Sequence, residues 1–197
     1  MRDGPVVGPG PAAGQEATGL AWGVLIARAG SVVSGVGLGW TRCYGHVGCQ
    51  LLRQLGLLWR LTPGLYEPML AAYSMERHVL LNGMLGPRST PARGLAAGCP
   101  RATDWLAIMS HVLVRELQHS IPSTIARPYV DDLTADIVHT NDADGCEEAV
   151  LAVTAMVLVI QQYAQAWTLE ANVTKSRRFS TSAPVRASLA AIPGFQV

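Results

Sequence analysis

The sequence carries little charge. Only 15% of its 197 residues are charged, and 15 Lys and Arg residues against 14 Asp and Glu residues leave a formal net charge of +1 at pH 7. This balance argues against a large basic surface that holds nucleic acid by releasing counterions. A nucleic-acid partner would therefore have to be bound locally, or by regions other than this chain.

The sequence also lacks paired cysteines and long apolar runs. Its four cysteines form no Cys-x-x-Cys pair and no zinc-like spacing with histidine, which favours reduced thiols. The longest apolar run, Ala149 to Ile160, is about twelve residues, against the roughly twenty of a membrane-spanning helix. Asp3, Glu16 and several Gly and Pro residues precede or interrupt the apolar stretch from Gly19 to Ala27, unlike a signal peptide. We therefore expect an intracellular protein, in the nucleus or cytoplasm, without a membrane partner.

What is present suffices for one folded domain. A chain of 197 residues that is 49% hydrophobic can bury one core, with little room for a second. Residues 1–28 form a Gly-, Pro- and Ala-rich arm that cannot repay the entropy of ordering. Residues 29–181 carry the periodic patterns of a domain, and residues 182–197 are a tail without a predicted element.

Apolar periodicity within the domain predicts alternating strands and helices. β-branched residues among small ones indicate a buried first strand, and turn residues mark two hairpins. Proline breaks a helix interior, which places the start of the second helix near Pro68. The predicted order indicates an α+β fold, an antiparallel sheet with helices packed on one face. The predicted elements are a strand over Ser31–Trp40, helices over Cys43–Leu57 and Pro68–Ser74, a hairpin of His78–Leu81 with Ser89–Leu95, a helix capped by Thr103 or Asp104 and ending near Ser120, a hairpin of Ile125–Val130 with Leu133–Val138, a long helix from about Asp144 to Trp167, and a strand over Val173–Ser180.

The second hairpin carries an acidic tip. Tyr129-Val130-Asp131-Asp132 lies between its two strands. A hairpin tip can direct adjacent carboxylates at one point, where a divalent metal would bind. Adjacent acids at a turn are also common as solvated turn formers, so this string alone leaves both interpretations open.

Three further segments stand in a fixed order around the acidic hairpin. The first, Leu38 to Val47, runs from a strand into a helix, and the second, Arg93 to Pro100, is a Gly-containing loop before a helix. The third, Leu169 to Ser176, contains an Asn-x-x-Lys string. With the acidic hairpin, these segments resemble the palm of a reverse transcriptase from a non-LTR retrotransposon. The resemblance covers about residues 31 to 180.

The resemblance implies nucleotide- and template-binding roles for six residues. Arg93, Gly94 and Gly98 would lie beside the incoming nucleotide and the template, where glycine permits close backbone approach. The tyrosine at position 44 matches the aromatic residue that the family sets against the sugar 2′ position, although core packing explains it equally well. Tyr129 belongs to the acidic hairpin, and Lys175 would lie near the triphosphate unless it is part of a solvated basic face.

The resemblance also implies an incomplete metal site. Asp131 and Asp132 match the family's catalytic, metal-binding carboxylates, but Gly39 stands where the family places a metal-binding aspartate, and Gly45 where it often places a second acid. Shared carboxylates set the distance between two metal ions, so a lost ligand should leave Mg²⁺ or Mn²⁺ weakly bound. We expect polymerase activity several orders of magnitude below that of an intact site.

Other departures from the family pattern point the same way. Ala97 replaces a usual glutamine, and Pro128 is expected to remove a donor from the strand ladder. The fingers and thumb regions expected of a working polymerase are too short or absent, which indicates a fragment or degraded copy. The implied partners are an RNA template, a DNA primer and deoxynucleoside triphosphates. The alternatives are a non-catalytic nucleic-acid or protein interaction module, and a relic that folds poorly.

Overall fold

The computed structural model describes residues 30–41, 43–91, 93–95, 99–192 and 195, so the predicted arm, residues 1–28, lies wholly outside the described residues. Six strands and six helices occur within this part of the chain. None of these helices is long and apolar enough to cross a bilayer. The elements are β1 Ser31–Gly39, α1 Cys43–His46, α2 Cys49–Leu58, α3 Pro63–Ser74, β2 Arg77–Leu81, β3 Met84–Ser89, α4 Pro100–Ser120, β4 Ile125–Tyr129, β5 Asp132–Thr140, α5 Ala143–Ala166, β6 Arg177–Ser180 and α6 Ala183–Ala190.

Four of the strands form an antiparallel sheet in the order β4-β5-β1-β6. Val36 of β1 lies opposite Ala135 of β5, and Leu38 opposite Leu133, so these four side chains share one face. That face is buried beneath the long helices α4 and α5, which contact each other as well as the sheet. The predicted fold class, α+β with helices packed on one face of an antiparallel sheet, is confirmed.

The two long helices are built as their sequences predict. In α4 the predicted stripe of Leu106, Met109, Leu113 and Leu117 is buried. The α5 helix begins at an N-cap: the Asp142 carboxylate accepts a hydrogen bond of 2.7 Å from the backbone N–H of Gly145, and this bond lowers the pKa of that carboxyl. The α5 stripe includes Val153, Val157 and Ile160, all buried. Tyr163 Oη then donates to the carbonyl oxygen of Met109 at 2.7 Å and so joins α5 to α4.

The α3 helix begins at Pro63 and not near Pro68, so the predicted boundary is wrong. Pro63 occupies the first turn, where a missing N–H costs nothing. Pro68 is exposed in the second turn and removes one helical hydrogen bond. Tyr66 lies between the two prolines, is 3% exposed and packs edge-on against Trp105, with ring centroids 6.4 Å apart. Burial of this ring favours a helix that continues through Pro68.

The first hairpin also differs from its prediction. Asn82 and Gly83 have φ angles of 51° and 79°, as a type I′ turn requires, and they return the chain directly into β3 at Met84. The second strand is therefore Met84–Ser89, and the described residues among 90–95 form no strand of the kind predicted over Ser89–Leu95. Among the described residues, β2 and β3 pair only with each other.

Three other parts of the chain also differ from their predictions. The predicted first helix divides into α1 and α2 because Gly48 forms a bridge with Arg93. The α4 helix begins earlier than its predicted cap, with proline at the favoured first position. Residues 183–190, where no element is predicted, form α6, whose Val185 and Leu189 are buried.

Candidate functional site

The acidic tip is a tight turn between β4 and β5. Tyr129 pairs with Asp132, so that Val130 and Asp131 form the turn between the two strands. Val130 has a φ of 53°, a left-handed conformation that is strained for a β-branched residue. The turn lies against α4, with Ser110 Oγ 3.5 Å from the carbonyl oxygen of Val130. The paired strands and this helix hold a turn whose conformation is unfavourable for Val130.

Pro128 does not weaken this hairpin in the predicted way. Its strand, β4, pairs with β5 alone, at the edge of the sheet. Beside a two-residue turn the flanking pair, Tyr129 and Asp132, exchanges the ladder hydrogen bonds, so the next position back faces the open edge. An edge position without a ladder bond accommodates proline. The expectation that Pro128 removes a donor from the strand ladder is therefore wrong.

Gly39 lies beside the acidic hairpin. It is directly opposite Asp132, which is in turn opposite Tyr129, so the three residues share one face across three strands. A Cβ on Gly39 would lie 3.2 Å from Asp132 Oδ1 and 3.0 and 3.1 Å from Cβ and Cδ of Lys175. Four predicted site residues thus meet at one end of the sheet: Gly39, Tyr129, Asp132 and Lys175.

The Asn-x-x-Lys string folds as a turn that sets the position of Lys175. Asn172 Oδ1 accepts hydrogen bonds from the backbone N–H groups of Thr174 and Lys175, at 3.1 and 3.2 Å, and from the Thr174 hydroxyl at 2.7 Å. Asparagine forms such turns readily because its side chain mimics a backbone carbonyl. The turn ends the connection early and leaves β6 as Arg177–Ser180, shorter than the predicted strand.

Backbone hydrogen bonds tie this turn to the end of β1. The Asn172 N–H donates to the Gly39 carbonyl at 2.7 Å, and the N–H of Thr41 donates to the Glu170 carbonyl at 2.7 Å. Ser176 is fully buried, and its Oγ lies 3.3 Å from both N and O of Gly39. The sequence interpretation did not single out Ser176. Its only signal is a small polar residue directly after the Asn-x-x-Lys string.

Tyr44 belongs to the short helix α1 and lies within the electric field of the acidic tip. Burial raises the pKa of its hydroxyl, and the negative charge of Asp131 raises it further. The neighbouring Cys43 thiol is buried, and the same two causes raise its pKa to about 12. Cys43 also lines a narrow crevice with Trp40 and Val130. Tyr44 is therefore near enough to the acidic turn to sense the charge of Asp131, and its ring is half-buried.

The Gly-containing loop packs on the other side of α1. Gly94 has a φ of 104°, and its N–H donates to the carbonyl of Val47 at 2.8 Å. A Cβ at this position would lie 3.3 Å from the carbonyl oxygen of Tyr44, so glycine fits both the conformation and the space. Arg93 is exposed. Gly98 and Ala97 lie outside the described residues, so the structure brings only part of this predicted loop to the site.

The electrostatics of the site are dominated by two adjacent carboxylates. Burial raises the pKa of Asp132, the negative charge of Asp131 adds to that increase, and the positive charge of Lys175 partly offsets it. The structure records no ion pair for Lys175 within the part of the chain that it describes. Lys175 therefore acts on the carboxylates through its field and not through direct contact.

Two aspartates are the carboxylates that the described residues place at this tip. A two-metal centre needs carboxylates that bridge both ions. No group of three His, Cys, Asp or Glu side chains that could hold a metal occurs among the described residues. Asp131 and Asp132 are the carboxylates at the tip, and Gly39 offers no side-chain ligand.

A third aspartate lies farther along β5, on the same face of the sheet as Asp132. Asp136 is buried in the middle of β5, and its carboxylate accepts a hydrogen bond from the Arg127 guanidinium on β4. The sequence interpretation missed this pair. The hairpin register could have found it, because a two-residue turn after Tyr129 places Arg127 diagonal to Asp136.

Comparisons with known proteins are informative at the level of structure. No family model and no curated protein matches the sequence. Solved structures of telomerase from Candida tropicalis do match: the apo enzyme truncated from its C-terminal domain, with a TM-score of 0.50 and 12% identity, and the enzyme in complex with a TWJ fragment of telomeric RNA, with a TM-score of 0.57 and 10% identity. A third, the apo enzyme, has a TM-score of 0.51 at 11% identity.

These matches concern the fold. Each covers 90% of this chain but only 36%, 30% and 33% of the respective telomerase chains, so the chain spans about a third of their length. At such low identity the likeness carries no residue roles. Telomerase is a reverse transcriptase. The antiparallel sheet of this chain, with helices on one face, matches the structures of that enzyme. The chain therefore has a reverse-transcriptase-like fold.

Proposed function

We propose that this chain is the palm region of a reverse transcriptase from a non-LTR retrotransposon, catalytically impaired because Gly39 stands in place of a metal-binding aspartate. One observation carries this proposal: Gly39 lies in register with Asp132, and a side chain on Gly39 would begin 3.2 Å from the Asp132 carboxylate. A carboxylate at position 39 would share a metal ion with the acidic hairpin. The fold and the position of Lys175 over the same point support the assignment.

The ancestral reaction would be RNA-templated DNA synthesis from deoxynucleoside triphosphates. The partners would be an RNA template and a DNA primer, bound with fingers and thumb regions supplied outside this segment, in the nucleus or cytoplasm. The fold likeness to a telomerase solved with RNA supports a nucleic-acid partner. The near-neutral net charge of +1 implies that a palm of this kind contributes few of the phosphate contacts itself.

The remaining predicted residues take roles that their positions support. Tyr44 lies near Asp131 and is proposed to contact the sugar of the incoming nucleotide. Arg93 and Gly94, on the loop that packs against α1, are proposed to contact nucleotide or template together with Gly98. Tyr129 is 54% exposed beside Asp132 and offers a ring for base or sugar contact.

Divalent metal is proposed to bind weakly. Asp131 and Asp132 are the ligands that Mg²⁺ or Mn²⁺ would use, and Mg²⁺ requires near-octahedral oxygen coordination that two adjacent carboxylates supply only in part. Bound metal would supply charge neutralisation at the triphosphate. The residues of this chain would orient the nucleotide, but without a third carboxylate they would not fix the separation of two ions.

A non-catalytic interaction module is the second candidate function. The incomplete carboxylate set favours it, and so does the ribbon of β2 and β3. Leu80, Leu81, Met84 and Leu85 surround the tip of that ribbon and are each 66–72% exposed. Large exposed apolar side chains in one place are typical of a protein contact. Such a module would bind an RNA–DNA hybrid or a protein without extending a primer.

Primer extension tests the catalytic proposal. The chain is joined to the fingers and thumb of a related polymerase and assayed on a primed RNA template with Mg²⁺ or Mn²⁺. We expect little extension by the natural sequence, an increase of at least about tenfold with Gly39→Asp, and loss of that increase with Asp131→Ala added. Gly37→Asp is the matched control because it adds a carboxylate to the same face one pleat away, where a Cβ meets only ordinary contacts at 3.8 Å.

The outcomes separate the candidates. Robust extension by the natural sequence would contradict the impairment. If neither the natural chain nor Gly39→Asp extends a primer, yet both bind the hybrid with an affinity that falls as salt rises, the interaction module is favoured. Equal gains from Gly39→Asp and Gly37→Asp would show that position 39 has no special relation to the acidic tip.

A further inference from the structure

The space over Gly39 is filled by Lys175. A Cβ added to Gly39 would meet Cβ and Cδ of Lys175 at 3.0 and 3.1 Å, closer than such atoms normally approach. One pleat back, a Cβ on Gly37 would meet Arg177 Cγ at an ordinary 3.8 Å. The two glycines therefore differ, although they face the same side of the same strand. Of the two, only Gly39 is covered by the stem of a lysine.

Backbone hydrogen bonds, and not the side-chain rotamer alone, hold Lys175 against Gly39. Asn172 Oδ1 holds the N–H of Lys175 at 3.2 Å, and the N–H groups of Lys175 and Ser176 donate to the Asn172 carbonyl at 3.1 and 2.7 Å. Ser176 Oγ bonds Gly39 itself. These bonds fix the Cβ of Lys175 relative to Gly39, so only the outer stem of the lysine can move away freely.

We propose that Lys175 is an internal competitor of divalent cations at Asp131 and Asp132, with its stem filling the place of a side chain at position 39 and its ammonium supplying positive charge beside the two carboxylates. This inference rests on the proposed function in one respect, that Asp131 and Asp132 are the metal-binding groups. It adds that weak metal binding has two causes, a missing ligand and a resident cation. Restoring the ligand alone then leaves the second cause in place.

The effect of the Lys175 charge on the affinity for a divalent ion can be calculated from Coulomb's law. For a divalent ion and an ammonium about 8 Å apart in water, charge repulsion would weaken binding of the ion by about fivefold. Lys175→Met removes the charge and keeps an unbranched stem of similar length. Arg177→Met is the matched control, because Arg177 carries the same charge on the same face opposite Gly37.

The charge test measures Mn²⁺ binding to the full chain by electron paramagnetic resonance of the free ion. We expect Lys175→Met to tighten Mn²⁺ binding about fivefold and Arg177→Met to change it less than about twofold, with the gain lost when Asp131→Asn is added. Unchanged binding in Lys175→Met would overturn the charge part. Equal tightening in both variants would overturn it too, because the effect would then belong to the net charge of the face.

The space test uses Gly39→Asp in three backgrounds. In the natural chain and in the Lys175→Met variant, the new side chain must displace a stem, and we expect the melting temperature to fall by about 4 °C or more. Lys175→Gly removes the Cβ as well as the stem, so Gly39→Asp should then lower the melting temperature by less than half as much. The same double variant should bind Mn²⁺ more tightly than either single variant. Equal melting-temperature losses in all three backgrounds would overturn the space part.

These readouts are independent of polymerase activity. If Gly39→Asp extends no primer and neither it nor the natural chain binds the hybrid, while Lys175→Met still tightens Mn²⁺ binding, the proposed function fails and the competition stands. If Gly39→Asp restores extension while Lys175 variants leave Mn²⁺ binding unchanged, the function stands and the competition fails. Calorimetric unfolding of each variant shows which of them are folded, and Lys175→Ala, which also removes the charge, replaces Lys175→Met in the charge test if that variant has no cooperative transition.

Discussion

The two hairpins of this domain have turns of the same length, but the residues of one turn favour its conformation and the valine of the other does not. The ribbon of β2 and β3 turns through Asn82-Gly83, two residues that adopt positive φ at little cost. The acidic hairpin of β4 and β5 turns through Val130-Asp131, with the valine at a φ of 53°. The favourable turn belongs to the ribbon that pairs with no other described strand, whereas the unfavourable one belongs to the four-stranded sheet.

This contrast separates a turn that makes its own hairpin from a turn that the fold imposes. The ribbon has few packing partners, so its turn residues must specify the register. The acidic hairpin has β1 beside it and α4 and α5 behind it, and these contacts hold the strained turn in place. Strain that surrounding structure maintains is typical of functional sites. The carboxylates therefore lie where the fold, and not local preference, places them.

Truncating one leucine in each hairpin should give the largest difference. Leu133 of β5 is 4% exposed and packs in the core, whereas Leu85 of β3 is 71% exposed. We expect Leu133→Ala to cost about 2–5 kcal/mol of unfolding free energy through lost burial and a cavity, and Leu85→Ala to change it by less than about 0.5 kcal/mol. Urea denaturation measures both. Similar costs would mean that the ribbon tip is packed in solution.

Removing the arginine of each hairpin's ion pair should give a smaller difference. Arg127 is half exposed but pairs with Asp136, whose side chain is 6% exposed, so Arg127→Ala leaves a buried carboxylate without its partner. We expect a loss of about 1–3 kcal/mol. The Arg88–Glu76 pair at the base of the ribbon is 71% and 56% exposed, and Arg88→Ala should cost less than about 0.5 kcal/mol. Asp136→Asn combined with Arg127→Ala should recover part of the first loss.

Exchanging turn residues tests the imposed strain directly. Val130→Gly removes the steric cost of a β-branched residue at positive φ and should raise the unfolding free energy by about 1 kcal/mol. Gly83→Val imposes that cost on the ribbon and should unfold its pairing locally. Protection of the backbone N–H groups of β2 and β3 from hydrogen exchange reports that opening. Destabilisation by Val130→Gly would show that the valine side chain contributes more by packing in the crevice than its backbone costs.

The sequence predicts both strands of the acidic hairpin but misplaces the second strand of the ribbon. Local signals identify the elements: apolar spacing locates α4 and α5, and the string around Asp131 locates a turn between strands. Local signals fail where distant contacts decide, as in the continuation of α3 through Pro68, which Tyr66 secures by packing on Trp105. The α6 helix is missed because its two buried residues are too few to show a period.

In the candidate site too, the sequence identifies the residues, whereas their contacts depend on residues distant in the chain. The family resemblance identifies Gly39, Asp131, Asp132 and Lys175, and the structure brings them to one end of the sheet. The contact between Lys175 and Gly39 is invisible in the sequence because the two residues are far apart in the chain. It arises from β-sheet register and from the Asn172 turn acting together. Geometry of this kind needs the tertiary structure.

The smallest expected effect is a pH dependence that only the acidic hairpin should show. Burial, and then the charge of Asp131, raises the folded-state pKa of Asp132 above its usual 3.8. The unfolded chain therefore releases this proton at lower pH than the folded chain does. Stability falls as the pH rises from about 3.8 through the raised value, and the loss then persists at neutral pH.

Replacing either acid should flatten that slope. Asp132→Asn removes the titrating group, and Asp131→Asn removes the second cause of its shift, so the first variant should remove this contribution to the slope and the second should reduce it. Urea denaturation between about pH 4 and 7 measures the slope. Lys175→Met should steepen it, because the positive charge of Lys175 opposes the shift. An unchanged slope in Asp132→Asn would assign the dependence to another carboxyl and would leave the acidic turn no more strained electrostatically than the ribbon.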